Sequence, residues 1–152
     1  HRVDVRGGDG PDSALTDPEG NPFWVTGSAS SDGDTGPLAA LTLEVADPDG
    51  DGNLWSWLTG WTDAAGLAPR TLRHRSMRGP ALGLLRERAP KGPAKNRAHL
   101  DIRLESSDDP DGVADGIAAR GGRELRLGWG DLPWRHFADT SGNEFCLLPA
   151  RP

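Results

Sequence analysis

The 152-residue chain has one cysteine, Cys146, one methionine and no tyrosine. A single cysteine cannot form an internal disulfide, which excludes the small secreted domains that disulfides stabilise. No apolar run approaches the roughly 20 residues that cross a bilayer, and no charged-then-apolar leader opens the sequence. These absences exclude a membrane partner and make the reducing cytoplasm the expected compartment.

Basic residues are also scarce relative to acidic ones, with 17 Lys and Arg against 23 Asp and Glu and a net charge of −6. The broad positive surface of a nucleic-acid-binding protein is therefore missing, and no nucleic-acid partner is expected. One basic strip runs from Arg70 to Arg78. A solvated strand face is the favoured interpretation of this strip, and contact with an anionic ligand is the alternative.

Glycine and proline are abundant instead, at 21 and 13 residues, while apolar residues make up 35 % of the chain. This composition predicts one compact domain of short elements joined by many turns. Residues 28–37 contain small, acidic and turn-forming residues without apolar periodicity. We therefore expect a linker at 28–37 that separates residues 1–27 from a domain at 38–150.

The first 27 residues resemble residues 123–149 when the two are aligned without a gap. Seven positions are identical, where composition alone gives about one or two. The two segments share a D-x-x-G-N turn between apolar strands, so we expect residues 1–27 to be the C-terminal hairpin of a preceding domain of the same type. The identical pairs are Gly8/Gly130, Asp9/Asp131, Pro11/Pro133, Asp17/Asp139, Gly20/Gly142, Asn21/Asn143 and Phe23/Phe145.

A weaker repeat divides residues 38–150 into two modules, about 38–92 and 96–150. Apolar residues alternate at 41–45 and again 59 residues later at 100–104, which predicts two half-buried strands. Each strand precedes an acidic turn, an amphipathic helix and further strand signals. The pattern predicts an α+β fold of two βαβββ modules.

Three motifs carry a resemblance to a known family. They are Asp47-Pro48 through Trp55 to Gly60-Trp61, the segment KNRAHLD at 95–101, and DTSGNEFC at 139–146. In this order they resemble the vicinal-oxygen-chelate superfamily, and more closely the glyoxalase-like domains (glyoxalase, bleomycin-resistance and dioxygenase type) that occur as single or tandem copies in bacteria. The resemblance implies that the two modules form a cup-shaped mixed sheet around a small-molecule site, with the helices outside.

The resemblance also implies where a metal would bind. Metal-dependent members carry His, Gln or Glu at four cup-facing positions, which correspond by motif to Ala40, about Gly83, His99 and Cys146. Alanine and glycine provide no side-chain ligand, and the remaining two residues are too few for a divalent metal. We therefore expect neither a bound metal nor another cofactor.

Strand alternation predicts which side chains line the cup. The apolar residues of the two strands must cover the helices, so the residues between them face the concave side. We expect a small organic ligand to bind there, in a metal-free cup with tryptophan-rich walls. The predicted ligand-binding residues are Thr42, Glu44, His99, Asp101, Arg103 and, from the resemblance, Cys146.

Two other functions remain open at this point. One is an isomerase or lyase of the same superfamily that uses His99 with Glu44 or Asp101 as acid and base. The other is a structural or partner-binding module of a tandem protein, with a homodimer or association through the N-terminal hairpin as forms of assembly. The strand registers of His74 and His136 are left undetermined.

A calcium loop is suggested by Asp47, Asp49, Asp51 and Gly52, which occupy the first positions of that pattern. The twelfth position is Leu58 where a bidentate glutamate is required. These acidic residues are better interpreted as the N-terminus of the first helix, where carboxylates accept hydrogen bonds from free N–H groups.

Overall fold

The computed structural model describes residues 14–24, 38–66 and 68–151. The chain divides between residues 33 and 34 into two compact units. The described part of the first unit is a hairpin of β1 (Ala14–Thr16) and β2 (Pro22–Trp24). The expected linker at 28–37 lies outside the described residues.

The second unit contains two modules of the same topology. The first comprises β3 (Ala40–Val45), α1 (Pro48–Thr59), β4 (Thr62–Asp63), β5 (Arg70–Arg73) and β6 (Ala81–Arg86). The second comprises β7 (Leu100–Arg103), α2 (Pro110–Ala119), β8 (Arg123–Leu125), β9 (Arg135–Ala138) and β10 (Glu144–Leu148).

Each module forms one four-stranded mixed sheet. The strand orders are β3-β6-β5-β4 and β7-β10-β9-β8. The first strand of each module pairs in parallel with the last, and the other pairs are antiparallel. The α+β class and the βαβββ repeat are thus confirmed. None of the helices in the described ranges is long and apolar enough to span a membrane.

Both helices begin at an acidic residue followed by proline. Asp47 caps α1 by accepting from the Asp49 N–H, and Asp109 caps α2. Proline suits the first helical turn because the backbone N–H groups of that turn have no acceptor within the helix. Proline, which lacks an N–H, therefore loses no hydrogen bond there. Asp47 and Asp49 therefore lie at the start of a helix, as expected. Helix α1 ends at Gly60, whose φ of 66° is readily adopted by glycine.

One apolar core joins the two modules. Trp55 of α1 lies 5.1 Å from Phe145 of β10 between ring centroids, and both side chains are almost completely buried. The alternation in β3 is confirmed at Val45, which is buried, and weakens along the strand to Leu41, which is 41 % exposed. The buried core comprises Val45, Leu54, Trp55, Leu72, Leu82, Leu84, Leu104, Ile117, Phe137, Phe145 and Leu147.

The basic strip divides between the fold and the solvent. Arg70 donates to Asp63 and Asn53, and Arg73 is 8 % exposed. His74 lies on the exposed turn after β5, where its Nδ1 contacts the Ser76 hydroxyl, and Arg75 and Arg78 are exposed as well. The contacts favour a structural role for Arg70 and Arg73, and the rest of the strip is solvated.

The turn between β9 and β10 is organised around the buried carboxylate of Asp139. Its Oδ1 accepts from the N–H groups of Ser141 (3.1 Å) and Asn143 (2.8 Å). Its Oδ2 accepts from the indole N–H of Trp55 (3.2 Å) and from the Asn143 amide (3.1 Å). Since Trp55 belongs to α1, this carboxylate connects the end of the second module to the first.

A second carboxylate strengthens the same junction. Asp51, fully buried in α1, accepts from the hydroxyls of Thr140 and Ser141. The Asn143 amide also donates to the backbone carbonyl of Glu44 at 3.0 Å. Burial, and then the negative charge of Asp51, raise the pKa of Asp139, although its hydrogen bonds from Asn143 and Trp55 oppose this.

The hairpin of residues 14–24 has the same turn. Asp17 accepts from the Asn21 N–H at 2.7 Å and from the Asn21 amide at 2.6 Å, as Asp139 does from Asn143. Gly20 has a φ of 82°, and its counterpart Gly142 has 89°. The strand registers also agree, since Leu15 pairs with Phe23 as Phe137 pairs with Phe145.

We expect Asp139→Asn to reduce the free energy of unfolding of the second unit by about 2–4 kcal/mol, because four donors then face an amide that has one acceptor. Urea unfolding followed by near-UV circular dichroism measures this change. Asp17→Asn is the matched control, since it alters the same turn in the other unit. Equal losses in the two variants would contradict the role of Asp139.

The pH dependence gives a separate check. The raised pKa means that folded Asp139 binds its proton more tightly than the unfolded chain does. Its contribution should therefore favour the folded state more at low pH and be lost as pH rises through the folded pKa. The slope of the free energy of unfolding against pH should therefore be smaller in Asp139→Asn than in the unchanged protein.

Candidate functional site

A cavity of about 550 Å³ opens on the concave face of the second sheet. Its volume falls in the range of small-molecule sites. The walls are mostly apolar, and a few polar side chains converge on the floor. The lining residues are Pro93, Lys95, His99, Asp101, Leu125, Leu127, Trp129, Trp134, His136, Glu144, Phe145, Cys146 and Leu148.

Strand register places one row of these residues across the whole sheet. Asp101 of β7 pairs with Cys146 of β10, which pairs with His136 of β9, which pairs with Leu125 of β8. Paired residues of neighbouring strands point to the same face. The row therefore forms a polar floor that ends in an apolar side chain.

Three of the predicted residues meet at one end of this floor. His99 Nε2 lies 3.3 Å from Asp101 Oδ1. The possible ligand atoms of His99, Asp101 and Cys146 all lie within 4.8 Å of one another. Burial raises the pKa of the Cys146 thiol, and the negative charge and hydrogen bond of Asp101 raise it further. Cys146 is thus a neutral thiol near pH 7.

His136, whose register the sequence left undetermined, lies on the same floor beside Cys146. Its Nε2 accepts from the indole N–H of Trp134 at 3.3 Å. The ring of Trp129 packs edge-on against this imidazole, at 5.0 Å between centroids. The signal in the sequence was its flanking aromatic residues, but only the pairing of β9 with β10 sets its face.

Glu144 lies at the side of the cavity, but its carboxylate accepts hydrogen bonds from residues that do not line the cavity. It accepts from Lys91 Nζ and from the Asn96 N–H, each at 3.1 Å. Burial acts to raise the pKa of Glu144, but these two hydrogen bonds outweigh it, and the net direction is downward. The carboxylate therefore anchors the segment that leads into β7.

Three predicted residues lie outside the cavity. Arg103 donates to the carbonyl of Pro149 at 2.8 Å. Thr42 and Glu44 belong to the other sheet, where Gly83 pairs with Thr42 as Cys146 pairs with Asp101. The structure therefore groups His99, Asp101 and Cys146 and places Thr42, Glu44 and Arg103 elsewhere.

The concave face of the first sheet is covered by its own chain at Gly83, whereas Thr42 and Glu44 of β3 are exposed. A Cβ added to Gly83 would lie 3.1 Å from the Cβ of Ala68, and a Cβ on Gly66 would overlap Thr71. The segment between β4 and β5 thus packs directly on the sheet where a side chain of Gly83 would stand. A side chain at residue 83 would therefore press against Ala68, which would have to shift by a few tenths of an ångström.

The metal set implied by the resemblance does not fit this chain. The register confirms that Gly83 is the counterpart of Cys146, and Ala40 lies 59 residues before His99. Neither Ala40 nor Gly83 has a donor atom, and Ala68 covers Gly83. The remaining side-chain donors, His99, Asp101 and Cys146, all come from the second module.

Comparisons with known proteins agree with this architecture. At 11 % identity, a glyoxalase/bleomycin resistance protein/dioxygenase family enzyme from Burkholderia phytofirmans has a TM-score of 0.58 over 75 % of this chain and 98 % of its own. A glyoxalase-related enzyme from Fulvimarina pelagi has a TM-score of 0.57 at 15 % identity, over 75 % and 88 %. These likenesses show the fold.

A further structure of the same fold is the fosfomycin resistance protein FosX from Listeria monocytogenes, solved with Mn(II) and sulfate. It has a TM-score of 0.57 at 13 % identity, over 76 % of this chain and 91 % of its own. Comparison with curated proteins gives no match. The family described as glyoxalase-like domain matches residues 40–148, which is more than half of the sequence. The chain therefore belongs to the glyoxalase-like domain family.

Proposed function

We propose that the protein binds a small organic ligand in the cavity of its second module, without a transition metal. The observation that carries this proposal is the cavity of about 550 Å³, with its polar floor and apolar walls. Apolar walls supply burial of ligand surface, and a few convergent polar groups fix its orientation. Three sequence-predicted residues, His99, Asp101 and Cys146, lie together on that floor.

Acid/base catalysis is the second candidate, favoured by the contact of His99 with Asp101 at 3.3 Å. A carboxylate beside one imidazole nitrogen leaves the other nitrogen available to take or give a proton. In this version of the site the pair is His99 with Asp101, because Glu44 lies outside the cavity. A purely structural module is less well supported, since the tryptophan side chains line the cavity and leave it open.

We also propose that the hairpin of residues 14–24 is the end of another glyoxalase-like module. Its D-x-x-G-N turn repeats the hydrogen bonds, the positive glycine φ and the strand register of the 139–143 turn. The turn at Asp139 is completed by a tryptophan from an α1-type helix. By analogy, the hairpin fits a module that supplies such a helix.

Native mass spectrometry of the purified protein after exposure to a metabolite mixture tests ligand binding directly. We expect a complex of one small molecule that His99→Ala weakens, with the thermal midpoint unchanged because His99 is exposed. Arg103→Gln tests whether recognition extends beyond the cavity to the end of β7. Normal binding by His99→Ala and by Asp101→Asn would refute the assignment of the floor.

Elemental analysis tests the absence of a metal from the proposed site. After purification without an affinity metal, we expect far less than one equivalent of zinc, nickel, iron or manganese. The reason is that the first module contributes no ligand at Ala40 or Gly83. Near-stoichiometric metal that is lost in His99→Ala would overturn this part of the proposal.

The single cysteine allows a direct probe of the cavity. Because Asp101 raises the pKa of Cys146, Asp101→Asn should lower that pKa and accelerate alkylation by iodoacetamide at pH 7 severalfold. Lys95→Gln should slow alkylation, since Lys95 lowers the same pKa. Mass spectrometry follows the reaction. Equal rates in the two variants would contradict the described environment of Cys146.

A further inference from the structure

The rim of the cavity combines a cation with two exposed tryptophans. Trp129 is 54 % exposed and Trp134 is 36 % exposed, although both line the cavity. Lys95 Nζ lies 5.1 Å from the centroid of the Trp129 ring. Large aromatic side chains left open to water beside a cavity provide flat surface that a ligand can cover.

Two glycines with positive φ set the backbone conformation of the loop that carries Trp129. Gly128 and Gly130 flank the tryptophan with φ values of 66° and 81°, which side chains other than glycine rarely adopt. The imidazole of His136 also packs against this indole in a T-shaped arrangement. The indole is thus held at the rim by backbone conformation and by one aromatic neighbour.

The acidic side chains that line the cavity have basic or imidazole neighbours, whereas the cation at the rim has no acidic one in the described part of the chain. Glu144 is held by Lys91, and Asp101 is in contact with His99. His136 accepts a hydrogen bond from the indole N–H of Trp134. Among the described residues, Lys95 has no carboxylate partner, and its contact is the Trp129 ring.

We propose that the ligand is a planar conjugated anion, such as an aromatic carboxylate, whose ring lies against Trp129 and Trp134 and whose acidic group pairs with Lys95. This inference rests on the proposed function and specifies its ligand class. The flat ring buries apolar surface at the indoles and at Leu127. The anionic group gains a partner at Lys95, next to a low-dielectric wall that strengthens the attraction.

Isothermal titration calorimetry with three probes tests the ligand class. The probes are 2-naphthoate, which is planar and anionic, 1-naphthylmethylammonium, which is planar and cationic, and cyclohexanecarboxylate, which is anionic and not planar. We expect 2-naphthoate to bind at least about tenfold more tightly than either of the others, since only it satisfies both the indoles and Lys95.

Two variants identify the residues, with a matched control. Trp129→Leu and Lys95→Gln should each weaken 2-naphthoate binding about five- to tenfold. Trp57→Leu is the control, because Trp57 is 39 % exposed and has Arg120 at 4.0 Å over its ring, yet it lies on α1 outside the cavity. The Trp57→Leu variant should bind 2-naphthoate as tightly as the unchanged protein does.

The outcomes separate this inference from the proposed function. Tighter binding of the cationic or the non-planar probe, or unchanged 2-naphthoate binding in both rim variants, would overturn the ligand class. If His99→Ala still weakened the probe that does bind, the cavity would remain the binding site. If no probe bound and the metabolite screen showed no complex, the proposed function itself would fail.

Discussion

The buried carboxylate of Asp139 is the interaction on which the arrangement of the two modules depends. A carboxylate without water must receive hydrogen bonds from the protein, and Asp139 receives four, one of them from Trp55 of the first module. The energetic penalty of leaving those donors or that charge unpaired holds the β9–β10 turn against α1. Because β9 and β10 supply His136 and Cys146, the same carboxylate sets the position of the cavity floor.

The two modules share one topology but use their concave faces differently. In the first, Ala68 packs against Gly83, so a side chain at the cup-facing position of the last strand would be crowded. In the second, the same position is Cys146, and the face opens as a cavity. The two copies of the module thus differ at this position, which is packed in the first and lines a cavity in the second. The incomplete metal set follows from this asymmetry, since a ligand at residue 83 would require the covering segment to move.

Alternation along the strands predicted much of the fold and two of the residues that line the cavity, His99 and Asp101, whereas Cys146 came from the family resemblance. It placed Val45 and Leu104 in the core and His99 and Asp101 on the opposite face, because a strand has only two faces. It placed Thr42 on a concave face as well, but it carries no information about which of the two modules forms a cavity. Lys95 and Trp129 could not be predicted as cavity residues, since loop residues have no periodicity and their positions depend on tertiary contacts. His136 required the β9–β10 register, which the Asp139 turn determines.

The rim of the cavity is also connected to the turn at Asp139. Asn143 donates to Asp139 and accepts from the side chain of Asn96 at 2.9 Å, and the Asn96 N–H donates to Glu144. Asn96 follows Lys95 directly, so the backbone that positions the rim cation is tied to the turn that joins the modules. A change at Asn143 should therefore disturb stability and binding together, whereas a change at an exposed cavity residue such as His99 should affect binding alone. This difference allows a loss of recognition to be distinguished from a loss of structure, because only the former leaves the unfolding transition in place.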